Sequence, residues 1–437
     1  MKKVHFIGIG GIGISALARF LKQRGYEISG SDIKSSKITK ELEEEGVKVT
    51  IPHDENAITD QDFVVYSAAI KEGNIELAKA RKDGKNVFSR KDALPFILQE
   101  KRVFSVCGAH GKSTTSAMLA SLIDGSMIIG AISKQFNSNM LLRESNNIVF
   151  EADESDESFL NSNPYIAVVT NAEPEHMEHY NHDLNRFYGA YTNFLLSAKI
   201  RVINAEDDFL STLTKLEAIR LYPSRDIKNL HYFAKDGEPY TAFTLKDLGG
   251  FEVCGIGYHI ALDASLAILA ALNDLPLEVI REKLKEFKGI KKRFDIIKNS
   301  KNFIIIDDYA HHPTEIKATL KSADIYAKTA NFGKITAIWQ PHKYSRVVDN
   351  LKAFTQCFEG IGELIILPVY SAGETEVKID FEGEFSSYKP IFADKIEREE
   401  NEIKLLKDGK VLKKIDKGLV IGFGAGDITY QLRGAFS

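Results

Sequence analysis

Two glycine-rich loops, each straight after a short β-branched run, carry the residues best suited to binding phosphate. Val4-His5-Phe6-Ile7 leads into Gly8-Ile9-Gly10-Gly11-Ile12-Gly13, in which Gly8, Gly10 and Gly13 satisfy GxGxxG. Glycines there allow a tight turn and bring backbone N–H groups close to a pyrophosphate at a helix N-terminus. Asp32, in Gly30-Ser31-Asp32, follows 24 residues after Gly8, where a ribose-binding carboxylate is expected. The obvious ligand is a dinucleotide, but the motif accepts any diphosphate. A glycine turn needed only for packing is the plainer alternative.

The second loop is Gly108-Ala109-His110-Gly111-Lys112-Ser113-Thr114-Thr115, after the apolar run Val103–Cys107. Strand, glycine loop, Lys-Ser and helix follow the logic of a P-loop. Backbone amides cradle phosphates, Lys112 reaches the β- and γ-phosphates, and Ser113 can ligate Mg²⁺. The full Gx₄GK[ST] spacing would need glycine at 106, which is Val106, so this is a shortened GxxGKS form. Cys107 reads as a buried thiol. Two phosphate loops argue against a simple dehydrogenase, because hydride transfer needs no second nucleotide. They point to ATP driving a reaction on another nucleotide-bearing molecule.

Ile148–Phe150 ends in Glu151-Ala152-Asp153-Glu154-Ser155-Asp156-Glu157. Carboxylates at a strand end beside a P-loop suit a hard cation such as Mg²⁺. A solvated acidic loop is the equal alternative. Downstream lie His176, His179 and His182. Their three-residue spacing drifts around a helix, so the three do not converge well. His179 and His182 read as exposed helical histidines, and His176 stays open.

The elements that must position these residues alternate. Strands are expected at Val4–Ile7, Phe63–Ser67, Val103–Cys107, Ile148–Phe150, Ile166–Thr170, Arg201–Asn204, Phe303–Asp307, Ile335–Trp339, Leu364–Pro368 and Leu419–Phe423. They are apolar almost throughout, as strands buried on both faces are. Helical spacing recurs between many of them: Ile14, Leu17, Ala18 and Leu21 line one face, and Ala264–Leu272 is apolar all round. This implies an α/β protein with parallel sheets and crossover helices. The charged run Glu397–Glu402 reads as a solvated helix face.

At 437 residues the chain exceeds what one core usually serves, and about three domains are expected. The boundaries fall at 1–101, 102–296 and 297–437. A net charge of −4 offers no electrostatic reason to expect nucleic acid or an anionic membrane as partner. Three scattered cysteines without CxxC encode neither a disulfide framework nor a zinc site and fit a reducing cytosol. The N-terminus mimics a signal peptide, but its glycines fit a strand-turn-helix better. No apolar stretch reaches about 20 residues, so a cytoplasmic location is expected.

Taken together, Phe6–Ser15, Gly108–Thr115, Glu151–Asp156, Asn171–His176, Asp307–Glu315, Gln340–Arg346 and Gly424–Asp427 resemble the Mur ligases of peptidoglycan synthesis. The resemblance implies a Rossmann-like N-terminal domain, a P-loop-type central ATPase domain and a Rossmann-like C-terminal domain. Within the family the chain looks like the members that join L-alanine to UDP-N-acetylmuramate through an acyl phosphate. The first loop (Gly8, Gly10, Gly11, Gly13), Ser31, Asp32, Ser67 and Ala68 would then serve the UDP-sugar. Gly108, Ala109, His110, Gly111, Lys112, Ser113 and Thr114 would bind ATP phosphates, with Asn171 close by. Ser113 and Glu151 match ligands of a first Mg²⁺, and His176 a ligand of a second, with Mn²⁺ able to substitute. Arg293 matches an arginine near the γ-phosphate, Asp308 the contact to the ATP ribose, and His259 the adenine side. Tyr309, His311, Lys343 and Arg346 match the amino-acid end.

There are departures from the family pattern. Lys343 stands where the family usually has arginine, which keeps the charge but loses the planar fork. Ile260 and Asp263 replace asparagines that hold the adenine. Ala109 and Ser113 replace the commoner threonines, and Ser113 retains a hydroxyl. The expected partners are small molecules, namely UDP-N-acetylmuramate, ATP and L-alanine, for a monomer or homodimer. The competing expectations are a ligase that recycles a murein peptide onto the same nucleotide sugar and, from another class, an NAD-binding oxidoreductase.

Overall fold

The computed structural model describes residues 2–99, 101–175 and 177–434. Two compact units arise. The first comprises residues 1–228, 244–251 and 261–288, and the second 229–243, 252–260 and 289–437.

The first unit opens with β1 (Lys3–Ile7), α1 (Ile12–Gln23), β2 (Glu27–Ser31), α2 (Lys37–Glu44), β3 (Lys48–Thr50), β4 (Phe63–Tyr66), α3 (Ile75–Lys82), β5 (Asn86–Ser89) and α4 (Arg90–Ile97). The strands form a parallel sheet in the order β3-β2-β1-β4-β5. This is the doubly wound arrangement, whose ligands sit beyond the carboxyl strand ends. The helix caps are local. Ser36 and Thr39 form a reciprocal capping box on α2, and Asn74 and Ser89 accept N-terminal amides of α3 and α4.

Next come β6 (Arg102–Cys107), α5 (Lys112–Leu122), β7 (Ser126–Ser133), β8 (Ser138–Leu141), β9 (Asn147–Glu151), β10 (Pro164–Val169), α6 (Leu184–Ser197), β11 (Ile200–Asn204), β12 (Ile219–Leu221) and α7 (Pro223–Asp226). They build a seven-stranded sheet, β12-β11-β10-β6-β9-β7-β8, parallel except at β7-β8. One apolar core runs through both sheets' layers, from Val4 and Phe20 through Ile97 to Phe159, Phe187 and Phe194. Residues of β13 (Ile227–Lys235), β14 (Glu238–Leu245), β15 (Gly250–Cys254) and α8 (Tyr258–Ala271) are divided between the units, and α9 (Leu277–Leu284) closes the first. From Ala264 to Ala271 every residue of α8 is buried, as its all-round apolarity requires.

The second unit contains β16 (Asp295–Asn299), β17 (Phe303–Asp308), α10 (Pro313–Thr329), β18 (Ile335–Trp339), α11 (Tyr344–Asp349), α12 (Leu351–Cys357), β19 (Glu363–Ile366), α13 (Phe381–Glu384), β20 (Ile391–Phe392), β21 (Lys395–Arg398), β22 (Ile403–Lys407), β23 (Lys410–Ile415), β24 (Gly418–Phe423) and α14 (Ile428–Leu432). The main sheet is β16-β17-β24-β18-β19-β20, with only β16 antiparallel. Trp339 lies fully buried among Phe354, Phe358 and Phe385.

All ten expected strands are present within a residue or two. Two local expectations are corrected. Glu397–Glu402 is no helix face: it spans the end of β21 and the turn into β22, an antiparallel pair. His179 lies in a four-residue 3₁₀ turn, Met177–Tyr180, and His182 takes a left-handed φ of 55°, so no α-helix runs through them. Asn181 and Asp183 break the pattern, and Asp183 instead caps α6. No helix among the described residues is long and apolar enough to cross a membrane.

Candidate active site

The second glycine loop joins β6 to α5. Gly108 has φ 141° and Gly111 φ 80°. A Cβ at Gly108 would stand 2.1 Å from Thr170 Oγ1, and one at Gly111 2.5 Å from Asp263 Oδ1. Both positions therefore exclude a side chain by conformation and by space. Asn171 clamps the loop from the end of β10: its Oδ1 accepts from the His110 N–H (3.0 Å), and its Nδ2 donates to His110 O (2.9 Å). Asp263 is 4% exposed and packs against the loop at Gly111. Ile260 packs against Gly255. His259 stands exposed at the start of α8.

The acidic run divides its duties. Glu151 Oε1 accepts from Ser113 Oγ (2.9 Å), and Oε2 accepts from Gly130 N–H (2.7 Å). The Ser113–Glu151 spacing is what adjacent oxygens take around an octahedral Mg²⁺ with bonds of about 2.0–2.1 Å. The donor set is all oxygen, so these two residues fit that ion. Glu154 is buried and accepts from Lys112 Nζ (2.9 Å), which also donates to the carbonyls of Gly108 and Ala109. Against its own burial, the Lys112 ammonium is held up by Glu154 and Glu151, while burial pushes the Glu154 carboxyl up. Asp153 and Asp156 both pair with Arg90, and Glu157 pairs with Arg186. Of the five carboxylates, only Glu151 meets the Ser113 hydroxyl. His176 lies outside the described residues. His110 Nε2 sits 3.4 Å from Glu173 and 3.3 Å from Glu175.

In the first glycine loop, Gly8 (φ 81°) and Ile9 donate to Ser31 O at 2.8 and 2.9 Å. Asp32 Oδ2 accepts from Gly10 N–H (2.8 Å), and Oδ1 accepts from Ile33 N–H (2.8 Å). A Cβ at Gly8 would crowd Ser67, which follows β4 with the exposed Ala68. Gly11 caps α1 in an extended conformation. Ser31 is fully buried: its hydroxyl donates to Glu76 and meets His53 Nδ1 at 2.9 Å, so what it offers the loop is its carbonyl.

The second unit gathers a separate cluster at the carboxyl ends of β17 and β18. Asp308 is buried, accepts from the N–H groups of Phe294 (2.7 Å) and Ala310 (2.8 Å), and is pushed up to about 6 by desolvation. Glu315 Oε2 caps α10 through the N–H groups of His311 (3.0 Å) and His312 (3.2 Å), and its Oε1 faces Arg293 Nη1 at 3.5 Å. Burial alone would raise the Glu315 carboxyl. Arg293, His311 and the two amides outweigh it and hold Glu315 at about 2. The Arg293 guanidinium lies 5.8 Å from the Tyr309 ring centre. His311 packs against Tyr309 and His342, and Arg346 Nη1 meets His342 Nδ1 at 3.0 Å. Burial lowers His342 to about 4, helped by His311 and Arg346. Lys343 Nζ pairs with Glu374 (3.2 Å), which also accepts from the Ser345 N–H and hydroxyl.

Sequence reasoning missed Arg90 and Glu374, and it placed Glu154 in the acidic run and Glu315 in a family motif without giving either its partner. Glu315 also left a local signal, since it stands at the third helical position after His312.

Comparisons with known proteins agree across the chain. The profile described as "Mur ligase family, catalytic domain" matches residues 3–102, "Mur ligase middle domain" 106–270, and "Mur ligase, glutamate ligase domain" 292–380. The chain is 64% identical over 436 residues to the UDP-N-acetylmuramate–L-alanine ligase of Campylobacter curvus, covering 100% of both. It is 57% identical over 435 residues to the ligase of the same name from Helicobacter pylori, covering 99% of this chain and 96% of that one. Among solved structures, the UDP-N-acetylmuramate–alanine ligase of Thermotoga maritima superposes with a TM-score of 0.83 at 27% identity, covering 100% of this chain and 98% of that one. By loop geometry, three-domain α/β fold and full-length similarity, this chain belongs to the Mur ligase family.

Proposed function

We infer that the protein is an ATP-dependent ligase that joins L-alanine to the lactyl carboxylate of UDP-N-acetylmuramate, a step of cell-wall precursor synthesis in the cytoplasm. The observation that carries this reading is end-to-end similarity to ligases of that name, on a chain that keeps both phosphate loops. A carboxylate does not react usefully with an amine at neutral pH. The lactyl carboxylate therefore attacks the γ-phosphate of ATP, giving an acyl phosphate and ADP. The alanine amine then attacks the acyl carbon, and the tetrahedral intermediate collapses to amide and phosphate.

The candidate site residues divide the work of this scheme. The amides of Gly108–Thr114 and the Lys112 ammonium neutralise charge on the transferred phosphoryl, which is mainly positioning and electrostatics. Asn171 keeps the loop in shape. Arg293 serves the γ-phosphate, Asp308 the ATP ribose and His259 the adenine side. Ser113 and Glu151 would hold Mg²⁺, which supplies charge neutralisation on the phosphates, and His176 is assigned to a second ion. Gly8, Gly10, Gly11, Gly13, Asp32, Ser67 and Ala68 serve the UDP-sugar, with Ser31 acting through its carbonyl. Tyr309, His311 and Arg346 serve alanine. Lys343, paired with Glu374, has further ammonium donors for the alanine carboxylate. Domain limits at 1–101, 102–296 and 297–437 go with this division of labour.

The test is phosphate release with UDP-N-acetylmuramate and ATP. Release should be much faster with L-alanine than with other amino acids or with a murein tripeptide. Equal rates, or a preference for the tripeptide, would overturn the assignment.

A further inference from the structure

Arg90 makes a contact that neither the loop motif nor the scheme above uses. It opens α4 directly after β5, at the carboxyl end of the parallel sheet, where ligands of such sheets sit. Its Nη2 donates to Asp153 Oδ2 (2.9 Å), Ser158 Oγ (2.9 Å) and Asp156 Oδ1 (3.3 Å). The acceptors are themselves fixed: Ser155 bonds Asp153, and the Ser158 N–H bonds Asp156. So the guanidinium is anchored on one nitrogen. Its Nε is buried and has no hydrogen-bond partner. Its Nη1 lies against the first glycine loop, where a Cβ at residue 13 would stand 3.0 Å away. Gly13 has no positive φ, so its backbone does not demand glycine. The room is taken by Arg90.

We propose that Arg90 is an anion-binding residue of the nucleotide-sugar site. Nη1 and Nε donate to an acidic group of the substrate seated on the first glycine loop, while Asp153, Asp156 and Ser158 hold the guanidinium in place. The acceptor chemistry is a phosphate or carboxylate oxygen, which the diphosphate and the lactyl group both offer. Arginine suits either because its donors form a rigid planar fork. The inference rests on the first loop being the nucleotide-sugar site.

The test uses the full-length enzyme, wild type and the variants Arg90→Lys, Arg90→Gln and Gly13→Ala. Calorimetric titration with UDP-N-acetylmuramate and with UDP is combined with steady-state KM values for all three substrates. The expected result is a Kd for UDP-N-acetylmuramate raised about tenfold or more in Arg90→Lys. The KM values for ATP and L-alanine should stay within about twofold. Weakened UDP binding as well identifies the diphosphate as the target, and loss confined to UDP-N-acetylmuramate identifies the lactyl carboxylate. Gly13→Ala should weaken the wild type but add nothing in the Arg90→Gln background. Unchanged affinities overturn the proposal, as does a rise of all three KM values together with a lower Tm, which marks Arg90 as a strut only. If the wild type itself binds neither probe, the substrate reading of the loop falls with it.

Discussion

At the scale of single residues, Lys112 is tightly held. Its ammonium has three donors, and Gly108 O, Ala109 O and Glu154 Oε1 accept from it. A phosphate must therefore replace one of these partners. Lys112→Ala is expected to cut phosphate release by at least about 10²–10³-fold. It also strands a buried carboxylate, at a cost of about 3–5 kcal/mol. The double variant Lys112→Met/Glu154→Gln should regain much of that stability in urea denaturation and none of the activity. Full activity in either variant would remove Lys112 from the chemistry.

Glu315 makes a residue-scale prediction in pH. Its carboxyl sits at about 2 in the folded protein against an ordinary value of 4.5. The unfolded chain then binds more protons between those values, so stability rises with pH across that window. The contribution is fully present above pH 4.5 and is lost as pH falls toward 2. Its size is about 2–3 kcal/mol after allowance for partial exposure. Glu315→Gln keeps an acceptor for the α10 cap and should flatten that part of the acid-stability curve. An unchanged curve would show that Arg293 and the cap do not hold the charge.

At the scale of elements, β2 and the first glycine loop depend on a buried anion in α3. Glu76 is fully buried, accepts from Ser31 Oγ and from Asp54 N–H (2.8 Å), and lies 3.3 Å from His5 Nε2. An ionised carboxylate only accepts, so Nε2 of His5 donates to it, while Nδ1 lies 2.9 Å from Ser29 Oγ. Glu76→Ala leaves several buried donors unpaired and should cost about 3–5 kcal/mol in denaturant unfolding. A loss under about 1 kcal/mol would mean that water replaces the carboxylate. Gly111→Ala meets both a φ of 80° and Asp263 at 2.5 Å. It should lower Tm and abolish ATP turnover together, at a strain of about 1–3 kcal/mol.

The same scale shows what could be read in advance. The central strands were legible because burial on both faces makes them apolar runs. Strands with an exposed face were not, whatever their length: β13 and β14 run nine and eight residues with patchy or alternating burial, β23 is exposed at most positions, and β20 has two residues. The histidine segment was misread as helical because spacing alone is blind to the left-handed turn at Asn181 and His182.

At the scale of the molecule, the two sheets of the first unit share one core. α1 packs on β7 and β8, and α4 packs on the turn at Ser158–Asn161. Residues 1–101 expressed alone would expose that apolar face, so they should bind a hydrophobic dye and unfold at a markedly lower Tm than residues 1–228 within the full chain. A fragment that unfolds cooperatively at the full-length Tm would contradict a shared core.

The sequence by itself determined the two phosphate loops, their order and the family they belong to. Phosphate binding by backbone amides is a property of a few consecutive residues, visible without any partner. Only the tertiary structure decided which acidic residue does what. Glu154 meets Lys112 across 42 residues of chain, and Asp153 meets Arg90 across 63. The partner of a buried charge is whichever opposite charge or donor the fold brings within about 3 Å, and no local pattern encodes that.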